Sequence, residues 1–257
     1  MQGWQDLYRQ RALAEVLVQR ELKARYRGTV LGFCWSFVNP LLMMSIYVLV
    51  FQYGLRMPMP NYGAFVLAGL LPWNAFTSGV LEGAGSLVDN GNLIKKVSLP
   101  AEVFPLTSVL SNLVHLLLSL PVLAAVQWAG GAPLGLAVLT TPVIMAVQSL
   151  YTFAFALLLS SFTVQFRDLR HILPNVLMMW FYITPVIYDI NMMPERFRRF
   201  LLFNPLAPLV EAFRDAMLHG RMPSPWTLGA RAAVGMGCIA ISLAIFRRRR
   251  PMYAELV

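Results

Sequence analysis

Three uncharged stretches constrain this chain more than anything else in it. No Asp, Glu, Lys or Arg occurs from Phe33 to Leu55, from Met57 to Leu81, or from Val103 to Phe166. A helix needs about 20 apolar residues to cross a bilayer's hydrocarbon core, so the third stretch is long enough for two crossings. With no water to satisfy backbone groups there, each crossing must close its own hydrogen bonds, which makes helices the default. Hydrophobic residues make up 58% of the 257-residue chain and charged residues 13%. An average soluble domain is about 25% charged, so a soluble domain is excluded.

The pattern predicts an all-α membrane protein with six transmembrane helices, near 33–55, 62–87, 104–128, 134–163, 172–188 and 226–246. Gly130, Gly131 and Pro133 divide the long run between the third and fourth spans. The fifth span is short and holds Pro174 and Pro185, each of which frees a backbone carbonyl and invites a kink. Apolar sequence begins only near residue 33, after a charged segment, so the first run is expected to be a permanent span and not a secretory signal. Three parts follow: an N-terminal interface segment (1–32), a six-span domain (33–246) and a basic tail (247–257).

Lys and Arg set the orientation. With the N-terminus in the cytoplasm, the inner segments carry the six basic residues of 1–32 together with Lys95, Lys96, Arg167, Arg170 and Arg247 to Arg250. The outer segments carry Arg56, Arg196, Arg198, Arg199, Arg214 and Arg221. This bias predicts that both termini are cytoplasmic. The net charge of +9 accordingly points to anionic lipid and not to nucleic acid.

Segment 189–225 is too long for a plain loop. Pro194–Phe203 and Pro208–Leu218 read as two short outer helices tucked into the leaflet, the second ended by Gly220. A loop lying on the headgroups is the alternative. Glu211 and Arg214 are three apart, so they can pair on one face of the second helix. Before the first span, Leu13, Val16, Leu17 and Ala24 fall near one helical face and basic residues crowd the rest, which predicts an amphipathic interface helix.

Enzyme and metal signatures are missing from the sequence. Cys34 and Cys238 lack ligand spacing and are expected to be small buried apolar residues. His115, inside the third span, is expected to make an interhelical hydrogen bond. At about 100° per residue, Phe33, Phe37, Met44, Tyr47 and Phe51 form a stripe on the first span, and Phe181, Thr184 and Tyr188 a shorter one on the fifth. Such aromatic faces can stack on the C–H faces of sugar rings while letting a glycan slide. Helix packing or lipid contact would use the same residues. The loop 89–103 mixes apolar and basic residues, which suits either a short helix docking on a cytoplasmic partner or a solvated positive loop.

Several segments then carry a resemblance. Tyr26-Arg27-Gly28-Thr29-Val30-Leu31-Gly32, Trp35 and Asn39-Pro40-Leu41 resemble the start of ABC-2 type permeases that export polysaccharides. Asn92 through Pro100, Arg167-Asp168, Thr184-Pro185-Val186-Ile187-Tyr188, Asn204-Pro205-Leu206 and Glu211-Ala212-Phe213-Arg214-Asp215 resemble the same group in order. The nearest likeness is to O-antigen, capsule and teichoic-acid export permeases.

The resemblance implies a bacterial inner-membrane homodimer working with two ATPase subunits. Those subunits would bind ATP and Mg, and this chain would hold no cofactor of its own. The cargo would be a lipid-linked glycan, often on undecaprenyl pyrophosphate. Leu93, Ile94, Lys95, Lys96 and Val97 would form the coupling helix, and Glu211 and Arg214 would belong to the outer gate. Arg20, Lys23, Arg25 and Arg27 are candidates for the pyrophosphate, although positive-inside anchoring predicts the same cluster. Two alternatives remain: a membrane enzyme acting on a lipid-linked sugar, and an ABC-2 permease for a drug or simple lipid.

Overall fold

The computed structural model describes residues 11–26, 28, 32–57, 59–96, 100–131, 134–250 and 253. Among these residues the regular structure is entirely helical. In chain order the helices are α1 (Arg11–Tyr26), α2 (Trp35–Tyr47), α3 (Tyr62–Asp89), α4 (Gly91–Lys96), α5 (Val103–Ala129) and α6 (Thr141–Thr163). They continue with α7 (Leu169–Ile183), α8 (Glu195–Phe200), α9 (Ala207–Leu218) and α10 (Pro225–Arg249). A π-helical stretch, Val48–Gly54, prolongs α2, and a 3-10 turn, Leu136–Thr140, leads into α6.

Five segments among the described residues are long and apolar enough to cross a membrane: Trp35–Gly54, Tyr62–Asp89, Val103–Ala129, Leu136–Thr163 and Pro225–Arg249. These match five of the six expected spans. The span expected near 172–188 differs. Its helix, α7, has 15 residues, about 22 Å at 1.5 Å per residue, against roughly 30 Å of hydrocarbon. The cause is Pro185, which disfavours helical backbone at the residue before it, and Thr184 is extended at φ −84°, ψ 135°. The stripe Phe181–Thr184–Tyr188 is therefore not one helical face.

The bundle has two ends. One carries α1, α4 and the C-terminus of α10, and is tied by Asp89–Arg170 (2.8 Å) and Glu102–Arg247 (3.6 Å). The opposite end carries the α2–α3 and α5–α6 connections with α8 and α9. The central helix is α3, mostly buried, whereas little of α2 is buried within the chain. Close packing of α3 on α6 follows from Gly79 and Gly83, four residues apart on one face. Cβ atoms there would stand 2.7 Å from Thr152 Cγ2 and 2.5 Å from Ala156 Cβ, so only glycine admits this approach. Gln148 of α6 adds a hydrogen bond to the Pro72 carbonyl of α3 at 2.6 Å.

The interface helix α1 packs on α5. Its packed face holds Leu17, Val18 and Leu22, all half-buried, while Val16 is 61% exposed. Of the residues expected on one apolar face, Leu17 therefore packs on α5 and Val16 does not, and the side chains of Leu13 and Ala24 lie outside the described ones. Cys34 is exposed and Cys238 half-buried, so the expectation that both are buried does not hold.

Candidate functional site: an aromatic groove beneath a buried arginine

Between α2, α3 and α7 lies a groove of about 270 Å³, lined by Tyr47, Trp73, Asn74, Thr77, Phe181 and Tyr182 among others. Helical spacing on α2 brings Tyr47 and Phe51 to one face, with ring centroids 6.1 Å apart. Tyr47 also meets Phe181 of α7 at 6.2 Å, and Phe51 meets Tyr62 of α3 at 6.2 Å. Behind them, Trp180 packs edge-on against Trp73 (6.2 Å), Phe76 (5.4 Å) and Phe155 (5.5 Å). Three of the expected aromatic residues, Tyr47, Phe51 and Phe181, are therefore brought together. Phe37 is half-buried about three turns earlier on α2, and Phe33 lies in the short 3-10 turn before that helix. Tyr188 follows the break in α7 and turns back, its hydroxyl donating to the Tyr182 and Ile183 carbonyls at 3.1 Å.

The broken end of α7 leaves backbone carbonyls without helical partners. At bilayer depth these must be satisfied from elsewhere. Arg214 of α9 does so: Nη1 donates to the Pro185 carbonyl at 2.6 Å and Nη2 to the Val186 carbonyl. Its Nε donates to the Phe65 carbonyl of α3 at 3.4 Å, and the guanidinium carbon sits 3.7 Å over the Phe65 ring. The residue is 0% exposed, and Glu211 Oε1 balances its charge at 2.9 Å from Nη1. The pairing expected from the three-residue spacing is present.

Asn204 adds a second tie. Its amide donates to Thr184 Oγ1 at 2.9 Å, while its side-chain oxygen accepts from the Leu206 and Ala207 amides at the start of α9. Tyr62 donates to the Ile187 carbonyl at 2.7 Å. Thr184, Pro185, Asn204, Glu211 and Arg214, scattered through the sequence motifs, thus form one polar lock. It holds α9 against α3 and the end of α7.

At the terminal end, Arg20 lines a pocket of about 330 Å³ shared with Glu21, Glu82 and Asp89, so carboxylates surround it. Lys23 is exposed, Arg25 lies on the same helix, and Arg27 lies outside the described residues. Leu93 and Ile94 of α4 pack partly buried against the α3–α5–α6 core. Lys95 is exposed, Lys96 closes α4, and Val97 lies outside the described residues. The expected interhelical bond of His115 is present, with Ser36 Oγ at 3.2 Å from its Nδ1.

Sequence reasoning missed the main-chain acceptors of Arg214 and the Trp73–Trp180 cluster. The first carry no side-chain signal. The second joins helices far apart in sequence, and only the aromatic content of each helix hinted at it.

Residues 13–218 match the family described as ABC-2 type transporter. The chain is 39% identical over 254 residues, 98% of each chain, to the O-antigen export system permease protein RfbA of Myxococcus xanthus. It is 32% identical over 246 residues, 95% of each chain, to the protein of the same name from Klebsiella pneumoniae. It is 24% identical over 251 residues to the polysialic acid transport protein KpsM of Escherichia coli, covering 93% of this chain and 94% of that one.

Proposed function

We propose that this chain, which belongs to the ABC-2 type transporter family, is the membrane permease subunit of an ATP-driven exporter of an O-antigen-type, lipid-linked polysaccharide. The observation that carries the reading is similarity along nearly the whole chain to O-antigen export permease proteins. Those names favour transport over the membrane-enzyme alternative.

In this reading two copies work with two ATPase subunits, which bind ATP and Mg. The excess of Lys and Arg in 1–32, 95–96, 167–170 and 247–250 puts both termini in the cytoplasm. The end bearing α4 then faces the ATPase, and the end bearing α8 and α9 faces outward. Leu93 and Ile94 hold α4 to the bundle while Lys95 is exposed, and these three with Lys96 and Val97 would make the contact with the ATPase. ATP binding can move the spans only if the ATPase grips their two arrangements with different affinity. Arg20, Lys23, Arg25 and Arg27 would attract a pyrophosphate at the inner surface.

The aromatic groove of Tyr47, Phe51 and Phe181, with Phe33, Phe37 and Tyr188 beyond its ends, would carry the glycan. Stacking on sugar faces suits such a path because it tolerates sliding. Glu211 and Arg214 would hold the outer gate. The traverse that brings the chain outward for α8 would be made by α7 together with the turn 184–188.

The test is a deletion strain of the source organism together with a tagged copy of the chain. The expected result is loss of surface polysaccharide, accumulation of lipid-linked glycan inside, and co-purification of about one ATP-hydrolysing subunit per permease. Normal surface polysaccharide in the deletion strain, with no ATPase captured after gentle cross-linking, would overturn the reading.

A further inference from the structure

A second cavity flanks α2, between it and α3 and α5. Its volume is about 450 Å³, within the range of ligand pockets. Ser36 and Asn39 of α2, Asn74 and Ser78 of α3, and Asn112 and His115 of α5 face it, with Trp35 at 38% exposure among its lining residues. Among the described residues that line it, none is Asp, Glu, Lys or Arg. On α5 the sequence Ser108, Asn112, His115, Ser119 places polar groups on one face of an otherwise apolar helix.

Helix packing does not account for this space. Glycines let α3 close up on α6, and α3 packs closely on α5 as well, whereas α2 makes much sparser contact with α3 and α5 and leaves this space beside their polar groups. Lipid chains neither donate nor accept hydrogen bonds, so they match this polar lining poorly. The polar side chains are also held in place. Ser36 and His115 join α2 to α5 at 3.2 Å, and the Asn112 amide donates to Glu82 Oε2 at 2.7 Å. Side chains fixed before binding lose less freedom when a ligand arrives.

We infer that this cavity binds a neutral, hydroxyl-rich sugar ring. Amide, hydroxyl and imidazole groups both donate and accept, which matches ring hydroxyls, and an indole matches the C–H face of the ring. A phosphate would require cations, which the described lining lacks. Asn74 lines both this cavity and the aromatic groove. A sugar held here is therefore adjacent to the proposed glycan path, at a point where its hydroxyl pattern can be read. The inference rests on the export reading and adds to it a sugar-selecting site.

The test places a photo-crosslinking amino acid in turn at Ser78 in the polar cavity, at Tyr182 in the aromatic groove, and at exposed Met236 of α10. The permease is expressed with its ATPase in cells making their own lipid-linked glycan. Adducts on the permease are detected with antiserum to that glycan. A glycan adduct at position 78 well above that at 236 is expected. Asn39→Leu, or separately Asn74→Leu, should lower it about tenfold, as losing about one hydrogen bond predicts. The tagged complex should still assemble. An adduct at 182 but none at 78 would overturn the sugar site and leave the export reading standing. Sugar-free phospholipid adducts at 78 would also overturn it, by showing a lipid groove. No glycan adduct at 78 or 182, with unchanged surface polysaccharide in the deletion strain, would overturn both.

Discussion

Gly69 tests the lock at the far end of the bundle more directly than Arg214 itself, because it removes no polar group. A methyl added there would stand 2.6 Å from Arg214 Nη2, 2.6 Å from the Val186 carbonyl oxygen and 3.2 Å from Val186 Cγ1. Two of these contacts are about 1 Å inside the ~3.5 Å of ordinary contact. Neither neighbour can swing away, since one is backbone and the other a fully buried guanidinium. Overpacking of this kind costs about 1–3 kcal/mol. Displacing one charged hydrogen bond adds about 1.5–3 kcal/mol. Replacing a helical glycine by alanine returns about 1 kcal/mol. Gly69→Ala should therefore destabilise by roughly 1.5–5 kcal/mol, the sum of these ranges.

Gly63→Ala, on the same helix, is the internal control. Its methyl would meet only Met44 Sδ and Val48 Cγ2, both at 3.6 Å, which is ordinary contact. Thermal unfolding of the purified permease in one detergent, variant against variant, gives the comparison. Gly69→Ala should unfold well below the parent protein and Gly63→Ala at or above it. Equal midpoints for the two variants would refute the packing of Arg214 against α3.

Arg214→Met should cost about 3–5 kcal/mol, as when one partner of a buried ion pair is removed, while adding Glu211→Gln should recover part of that loss; paired unfolding measurements check it. Gly83→Leu should separate α3 from α6 and sharply reduce the folded permease recovered by size-exclusion chromatography, whereas the exposed change Val234→Leu should not. Tyr47→Ala combined with Phe51→Ala should impair glycan export while leaving membrane insertion and ATPase association intact. Normal surface polysaccharide in that double variant would remove these rings from the path.

Sequence reading placed long helices well wherever chemistry is uniform along a helix. The uncharged runs located four of the five long helices, the apolar stretch around Arg231 gave the fifth, and Asn204-Pro205 and Gly220 bracketed α9, because turn residues act locally. It went wrong where a local rule competed with tertiary context. Counting apolar residues carried the fifth span through Pro185, where the chain leaves the helix at Thr184. Periodicity grouped Val16 with Leu17 on one face of α1, whereas the face packed on the bundle takes Leu17 with Val18 and Leu22 and leaves Val16 exposed. Spacing gave the Glu211–Arg214 pair, yet Arg214 has three further partners in the Phe65, Pro185 and Val186 carbonyls. Only the folded path of α3 and α7 reveals those, because every residue offers the same acceptor.

That last feature bears on how the lock responds to change. At the end of α7, Arg214 grips the Pro185 and Val186 carbonyls and not the side chains there, so these hydrogen bonds do not depend on which apolar residue stands at 186. A side-chain change at that turn leaves the acceptors of the fastening in place. Sequence drift in the side chains of that turn is thereby separated from drift that would unfasten the end of the bundle.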